Sequence, residues 1–318
     1  MTKKYPRKKQ LLCWILLCFF SFMGIKSSLA EMSQEETKKQ LESFARETLM
    51  GKVLQVEDTL LAGAQNLQFQ AQSSPPWERV KDGLEFIVLG DADNPFIALR
   101  IQPSLYDFTL CMSSEEGQAL PLKDWGELRG LHAAINASMY LPDGQTSTGH
   151  MQSGSHSNNE HIGSRLGAFF VADPLYPDLD PSVAIIEKSD PQWERRLERY
   201  AIRVQNYRLL TRGGVVTWRG DKEGERGSIG AIGQNKDGSI LFMVSVHPLT
   251  VKEFCQIAQT LAPDLERAMY VEGSVKVGLF LKDGVQSHTW LGRKNVLYTP
   301  APKNTAIPNV IGVIPRKK

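Results

Sequence analysis

Ala268-Met269-Tyr270-Val271-Glu272-Gly273-Ser274 is an apolar run that ends in a carboxylate, a glycine and a hydroxyl. Far upstream, Ala134-Ile135-Asn136-Ala137-Ser138-Met139-Tyr140-Leu141-Pro142-Asp143-Gly144 follows the same plan and closes on a Pro-Asp-Gly turn. Each stretch reads as a short buried strand running into a polar end. Chemistry sits at such places because the strand fixes the backbone and the turn presents the side chains.

Working outward from these two stretches, the texture is that of strands. Leu84–Leu89 and Phe96–Ile101 flank a turn-rich Gly90–Pro95 segment. Tyr106, Phe108, Leu110 and Met112 alternate with Asp107, Thr109 and Cys111, which predicts one buried face. Leu122, Trp125 and Leu128 are spaced as a short helix. Ala168–Val171 and Ile240–Val246 are continuous apolar strands, and Gly278–Leu281 enters an Asp283-Gly284 hairpin turn. Thr250 and Glu253 form a capping box for a helix with Val251, Phe254, Cys255, Ala258 and Leu261 on its inner face. Strands outnumber helices and do not alternate regularly with them. The expected class is therefore α+β, with a central mixed, mostly antiparallel β-sheet core flanked by helices.

The N-terminal part reads differently. Lys3, Lys4, Arg7, Lys8 and Lys9 precede the apolar Leu11–Met23 run and the small residues Ser28-Leu29-Ala30, the layout of a secretory signal peptide over residues 1–30. The apolar run is short for a membrane span, so no span is expected once the signal is cleaved. Residues 31–76 form a helical extension and linker. Ser33 and Glu36 make a capping box, and Leu41, Phe44, Leu49, Val53, Val56 and Leu60 recur at helical spacing. The helix is read over 33–62, Gly51 is a candidate kink or end of its first half, Gln65–Ser74 is polar, and Pro75-Pro76 closes the segment. The helix either packs on the domain or serves as a partner- or envelope-binding arm. The domain proper is 77–318.

The signal also accounts for the basic balance. Its six Lys/Arg, taken from the chain's 37, leave 31 against 35 acidic residues, a net charge of −4. A nucleic-acid partner is not implied. Of the four cysteines, Cys13 and Cys18 leave with the signal. Cys111, within a strand, and Cys255, on an apolar helix face, are expected as buried free thiols. The chain lacks Gly-x-Ser-x-Gly, Gly-x-x-x-x-Gly-Lys-Ser/Thr and His-Glu-x-x-His, so serine hydrolases, P-loop enzymes and zincins are disfavoured.

Four segments in order, spread between about Trp77 and Leu291, resemble the phosphodiester glycosidase family. Ile135-Asn136-Ala137-Ser138-Met139-Tyr140 is similar to its Asn-Gly/Ala-Gly-Met/Phe block, and Val204-Gln205-Asn206-Tyr207-Arg208-Leu209 to its Val-Gln-Ser/Asn-Gly/Tyr segment. Ile229-Gly230-Ala231-Ile232-Gly233 is similar to its Arg-x-Ala-Ile-Gly block, and Tyr270-Val271-Glu272-Gly273-Ser274 to its Leu-Asp-Gly-Gly block. In this chain Ile229 stands where the family has Arg, with Arg226 nearby. Glu272 replaces the family's Asp, and Ser274 its second Gly. The resemblance implies an exported hydrolase of a sugar-1-phosphodiester, or a related glycosidic bond, in an envelope glycan.

Such a substrate needs a carboxylate to activate water or to stabilise an oxocarbenium-like centre. It also needs donors or a cation around the phosphate. Glu272 is the first candidate, as general base or nucleophile. At the end of a buried strand its pKa would rise; its bland role is to cap the following turn. Gly273 admits a ligand close to the backbone, and Ser274 either donates a hydroxyl or narrows the pocket. Asn136 suits a sugar hydroxyl or a phosphate oxygen, or else ties down a turn. Asp143 is the best partner carboxylate, although Pro-Asp-Gly turns use Asp for local reasons. Gln205 and Asn206 are candidate sugar contacts, and Arg208 or Arg226 a candidate phosphate ligand. Thr146–His161 carries His150, His156, Asn158, Asn159, Glu160 and His161. It reads as a solvated loop at the pocket rim that could gate substrate, since its spacing matches no standard zinc pattern and no metal site is assigned. A divalent metal is left open. Two other readings use the same fold, a non-catalytic glycan-binding protein and an envelope-assembly factor acting through the N-terminal helix.

Overall fold

A computed structural model describes residues 34–73, 76–176, 181–218, 225–294 and 299–317. Three antiparallel sheets dominate it. The first has eight strands in the spatial order Glu78–Lys81, Leu84–Leu89, Phe96–Ile101, Ile240–Leu249, Gly227–Asn235, Leu265–Gly273, Arg208–Thr211 and Val215–Val216. The second has five, Ala184–Glu187, Ala168–Pro174, Tyr200–Asn206, Met151–Ser153 and His156–Asn159. The third also has five, Gln286–Leu291, Gly278–Asp283, Ala133–Asn136, Asn309–Pro315 and Tyr106–Met112. The class is α+β as expected. The sheets are not mixed, because every strand pairing among the described residues is antiparallel.

Two-residue alternation divides the core. One face of the first sheet (Ile97, Leu99, Phe242, Val244, Met269, Val271) packs against Phe170, Ile185 and Val204 of the second sheet and Leu110, Ile135, Leu279 and Ile311 of the third. The other face (Leu89, Phe96, Ala98, Leu241, Met243) is covered by the helix Val251–Leu261. Thr250 caps that helix: its hydroxyl accepts from the Glu253 N–H at 3.2 Å, and Glu253 accepts from the Thr250 N–H at 2.9 Å. The third sheet's outer face buries Cys111, Ala134 and Phe280 against Trp125 of the helix Leu122–Arg129. Cys111 and Cys255 are both free and buried.

The N-terminal helix spans Gln34–Gln72 and passes through Gly51 without ending. The predicted Ser33 cap lies outside the described residues. Residues up to Thr59 form a unit of their own, in which Leu49, Met50, Val53 and Leu54 are exposed. From Leu60 onward the chain belongs to the main unit. The polar-looking 65–72 stretch is therefore helix and not linker. Its Ala64, Leu67 and Ala71 are buried with Leu89, Phe96 and Leu249, which outweighs the polar residues between them. Gly63 lets this turn sit on His247: a Cβ there would lie 2.3 Å from the imidazole Cε1. The His247 Nε2 meets the Leu60 carbonyl at 3.0 Å. Among the described residues no helix is long and apolar enough to cross a membrane.

Candidate active site

The strands Ala133–Asn136 and Leu265–Gly273 belong to different sheets, yet their ends meet. The Asn136 Oδ1 accepts from the Gly278 N–H at 3.1 Å and would lie 3.3 Å from a Cβ on Gly230. Gly230 pairs with Glu272, whereas its neighbour Ala231 pairs with Tyr270, so Val271 is an extra residue in a β-bulge. Paired residues share a face. The bulge thus turns Glu272 to the side from which Asn136 approaches, the side that regular alternation after Val271 would have denied it.

Burial governs the Glu272 carboxyl. It raises the pKa from the ordinary 4.5 to about 8, although the Gly273 N–H, donating to Oε1 at 2.8 Å, and the Lys276 ammonium both pull it down. Lys276 donates to the Ala306 carbonyl at 2.7 Å. Burial likewise holds the Tyr140 phenol well above its usual range, and the neighbouring Glu272 adds to this. Tyr140 donates to the Asn309 carbonyl at 3.4 Å.

Around the end of the Ala133–Asn136 strand, buried polar atoms are only partly used. The Asn206 amide donates to the Ala137 carbonyl at 2.9 Å, while its Oδ1 has no protein partner. The Asn136 Nδ2, Ser138 Oγ, Thr148 Oγ1, His150 Nε2 and Asn309 Oδ1 also have none. Buried polar atoms are normally paired, so a group of them at two strand ends marks a surface shaped for a polar ligand.

Ser274 adds strain. Its φ is +64°, in the left-handed region, and it is one of two such non-glycine residues described. The resembled family carries glycine at this position, which accepts that conformation at no steric cost. Ser274 tolerates it with its hydroxyl donating to the Arg293 carbonyl at 3.2 Å. A Cβ on Gly273 would strike the Tyr270 hydroxyl at 2.2 Å.

Several predicted contacts are placed elsewhere. The Gln205 amide is spent on the backbone: Nε2 donates to the Gly163 and Leu166 carbonyls at 2.9 and 2.8 Å, and Oε1 accepts from the Gly163 and His150 N–H groups. It pins the 147–166 segment and has nothing left for a sugar. Asp143 is exposed and closes its own turn, accepting from the Gln145 and Thr146 N–H groups and the Thr146 hydroxyl. These bonds hold its carboxyl below the usual range and commit it to the turn. Arg226 makes a bidentate pair with Glu253 at 2.6 and 2.7 Å, and Arg208 pairs with the buried Glu187 at 3.1 Å. Both guanidiniums are committed to holding elements together. The Thr146–His161 segment is a hairpin, not an open loop: Met151–Ser153 pairs with His156–Asn159, and Asn158 and Asn159 hydrogen-bond at Ser147. Among the described residues no three His, Cys, Asp or Glu side chains gather to hold a metal.

Three clefts are lined in part by neighbours of these residues in the chain, and none of the three is lined by Glu272, Asn136 or Asn206. One, of about 280 Å³, is lined by Met139, Thr148, Arg165 and Tyr207. A second, of about 740 Å³, shares Arg165 and Tyr207 and reaches Trp218. A third, of about 160 Å³, runs from Trp218 to Tyr270, Gly273 and Ser274. Sequence reasoning missed Lys276, Tyr140 as a neighbour of Glu272, and Arg165. Tyr140 stood inside a quoted motif, and nothing in the order of residues reveals which cations remain unpaired.

Residues 129–314 match the family model described as phosphodiester glycosidase. No curated protein matches the chain in sequence. Among solved structures, a hypothetical protein from Synechocystis is similar with a TM-score of 0.53 at 15% identity, covering 76% of this chain and 64% of that one. The chain thus spans less than two thirds of that protein. The catalytic domain of zebrafish N-acetylglucosamine-1-phosphodiester α-N-acetylglucosaminidase, auto-inhibited by its pro-peptide, is similar with a TM-score of 0.55 at 11% identity, covering 76% of this chain and 85% of that one. At these identities the likeness is one of fold.

Proposed function

The chain belongs to the phosphodiester glycosidase family, and from that premise we propose that it is an exported enzyme that hydrolyses the anomeric C–O bond of a sugar-1-phosphodiester in an envelope glycan. The observation that carries this reading is Glu272, a desolvated carboxyl with a pKa of about 8 on the face of its strand that Asn136 approaches. A carboxylate raised this far is a strong base, matched to taking a proton from water near neutral pH. Water attacks the anomeric carbon and gives its proton to Glu272. The C–O bond breaks with its electron pair going to the departing phosphate monoester. That leaving group is stable as an anion and asks for little protonation, so one carboxylate suffices. Asn136 and Asn206 meet sugar hydroxyls, Gly273 makes room for the Tyr270 hydroxyl, and Gln205 positions the rim.

The test is release of free sugar from a panel of sugar-1-phosphodiesters, including an α-N-acetylglucosamine-1-phosphodiester, by residues 31–318 and by the Glu272→Gln variant. Turnover that vanishes in a folded variant supports the reading; equal turnover in both removes Glu272 from the chemistry. A second reading, glycan binding without turnover, draws on the same pKa: at neutral pH most of the Glu272 population is protonated and donates a hydrogen bond instead of activating water. Binding by the wild-type chain with no release across the panel would favour it.

A further inference from the structure

A fourth cleft, of about 710 Å³, is lined by Lys81, Asp82, Tyr106, His132, Arg316 and Lys317. It takes no part in the reaction proposed above. His132 immediately precedes the Ala133–Asn136 strand, so it stands at the opposite end from Asn136, roughly 13 Å away at the rise of an extended chain. Strand pairing assembles the cleft from distant segments: Ala133 pairs with Val313, and Tyr106 with Pro315 at the end of that same strand.

The charges of this cleft are unevenly spent. The Arg316 Nε donates to Asp107 at 2.9 Å, and Asp82 is met by Arg79 at 3.5 Å. Lys81 and Lys317 are exposed, and among the described residues neither ammonium makes a hydrogen bond or ion pair. Two positive charges therefore stand uncompensated at one opening.

Two neutral donors stand beside them. The His132 Nδ1 is buried with no partner. A proton there would be desolvated without an acceptor, so it belongs on Nε2, the nitrogen that can reach the cleft. Burial, and then the ammoniums of Lys81 and Lys282, hold the imidazole below its usual range, so the ring is neutral at pH 7. The Tyr106 ring lies 6.2 Å from it, and burial and then Asp82 raise the phenol's pKa, so it too keeps its proton.

Two ammoniums and two neutral donors suit an anion with up to two charges and three terminal oxygens better than a carboxylate with one charge and two oxygens. We propose that this cleft binds a phosphate monoester carried on a small polar organic body, a sugar phosphate in its chemistry, with Lys81 and Lys317 meeting the charge and His132 and Tyr106 donating to the oxygens. The volume is that of a small-molecule site and not of a bare ion, and Leu105 and Pro315 give the organic body a wall. The inference does not rest on the hydrolase reading.

Titration calorimetry on the chain tests it, with glucose 6-phosphate as the probe and inorganic phosphate, gluconate and glucose as comparisons. Glucose 6-phosphate should bind one-to-one, gluconate and inorganic phosphate roughly tenfold more weakly, and glucose not at all. Lys81→Ala and Lys317→Ala should each weaken glucose 6-phosphate by about fivefold, and Asp82→Asn, which removes the cleft's carboxylate, should tighten it by about twofold. These are exposed positions, so the variants should unfold at the parent's temperature. Glu272→Gln should leave the affinity within about twofold, because a site this far away is screened from it. No binding of glucose 6-phosphate, or a comparison ligand that binds as tightly, overturns the site. So does an affinity that both lysine substitutions leave unmoved, or one that is lost in Glu272→Gln. Binding that follows the expected pattern stands whether or not the chain releases sugar from a phosphodiester.

Discussion

Unfolded, the Glu272 carboxyl releases its proton near pH 4.5; folded, burial defers that release to about pH 8. Between those values the folded chain holds the extra proton, so its stability falls as pH rises across the window and is level above it. Glu272→Gln, which cannot ionise, should be on the order of 5 kcal/mol more stable than the parent chain at pH 9 and nearly equal to it at pH 4, as read by denaturant unfolding. The catalytic consequence runs the other way. If the carboxylate is the base, kcat/KM rises with pH through about 8 and levels off above it; a rate that falls through 8 would make Glu272 an acid. With Asp143 held in its own turn, a single carboxylate serves the site, and water should add opposite the departing phosphate. The first product anomer, followed by proton NMR, should be inverted; retention would recast Glu272 as a nucleophile.

At the scale of the element, the bulge at Val271 and the glycines around it decide the geometry. Glu272 was legible as a strand-end carboxylate, because Met269-Tyr270-Val271 is apolar and Gly273 follows. The face it takes was not, since an extra residue in one strand is invisible until the partner strand is known. The N-terminal helix shows the same division. Its start was read from the Ser33–Glu36 capping box and its body, to residue 62, from apolar spacing, while its run to Gln72 depends on burial of Ala64, Leu67 and Ala71 among strands that come later in the chain. Gly63 is the contact to test. Gly63→Ala brings a methyl within 2.3 Å of the His247 ring and should cost about 1–3 kcal/mol in thermal unfolding without changing the strand content seen by circular dichroism.

On the scale of the whole molecule, Glu187 ties the second sheet to the first. Its buried carboxylate meets Arg208 at 3.1 Å and Arg267 at 3.3 Å, and accepts from the Thr211 hydroxyl and the Arg212 N–H. Burial alone would raise its pKa, but these donors and cations hold it below the usual range. A depressed pKa contributes stability above the unfolded value that is lost as pH falls, so this tie should loosen in acid below about pH 4.5. Glu187→Gln leaves the part-buried Arg208 without a counter-charge and Arg267 with Glu266 alone, at 3.3 Å, and should cost about 3 kcal/mol by denaturant unfolding. The same network explains why Arg208 was a reasonable phosphate ligand in sequence and is not one in the fold: its partner lies 21 residues away in the chain, on another sheet.

Period-two alternation and the two strand-end motifs were enough to determine an α+β class, its main strands, the capped helix after Thr250 and Glu272 with Asn136 as candidate site residues. These are local properties, because strand burial and capping are written in neighbouring residues. Only the tertiary structure decided which charges are spent on one another, which amides are saturated, and which face Glu272 takes. Ion pairs, register and desolvation are relations between distant segments, and no window of sequence contains both partners.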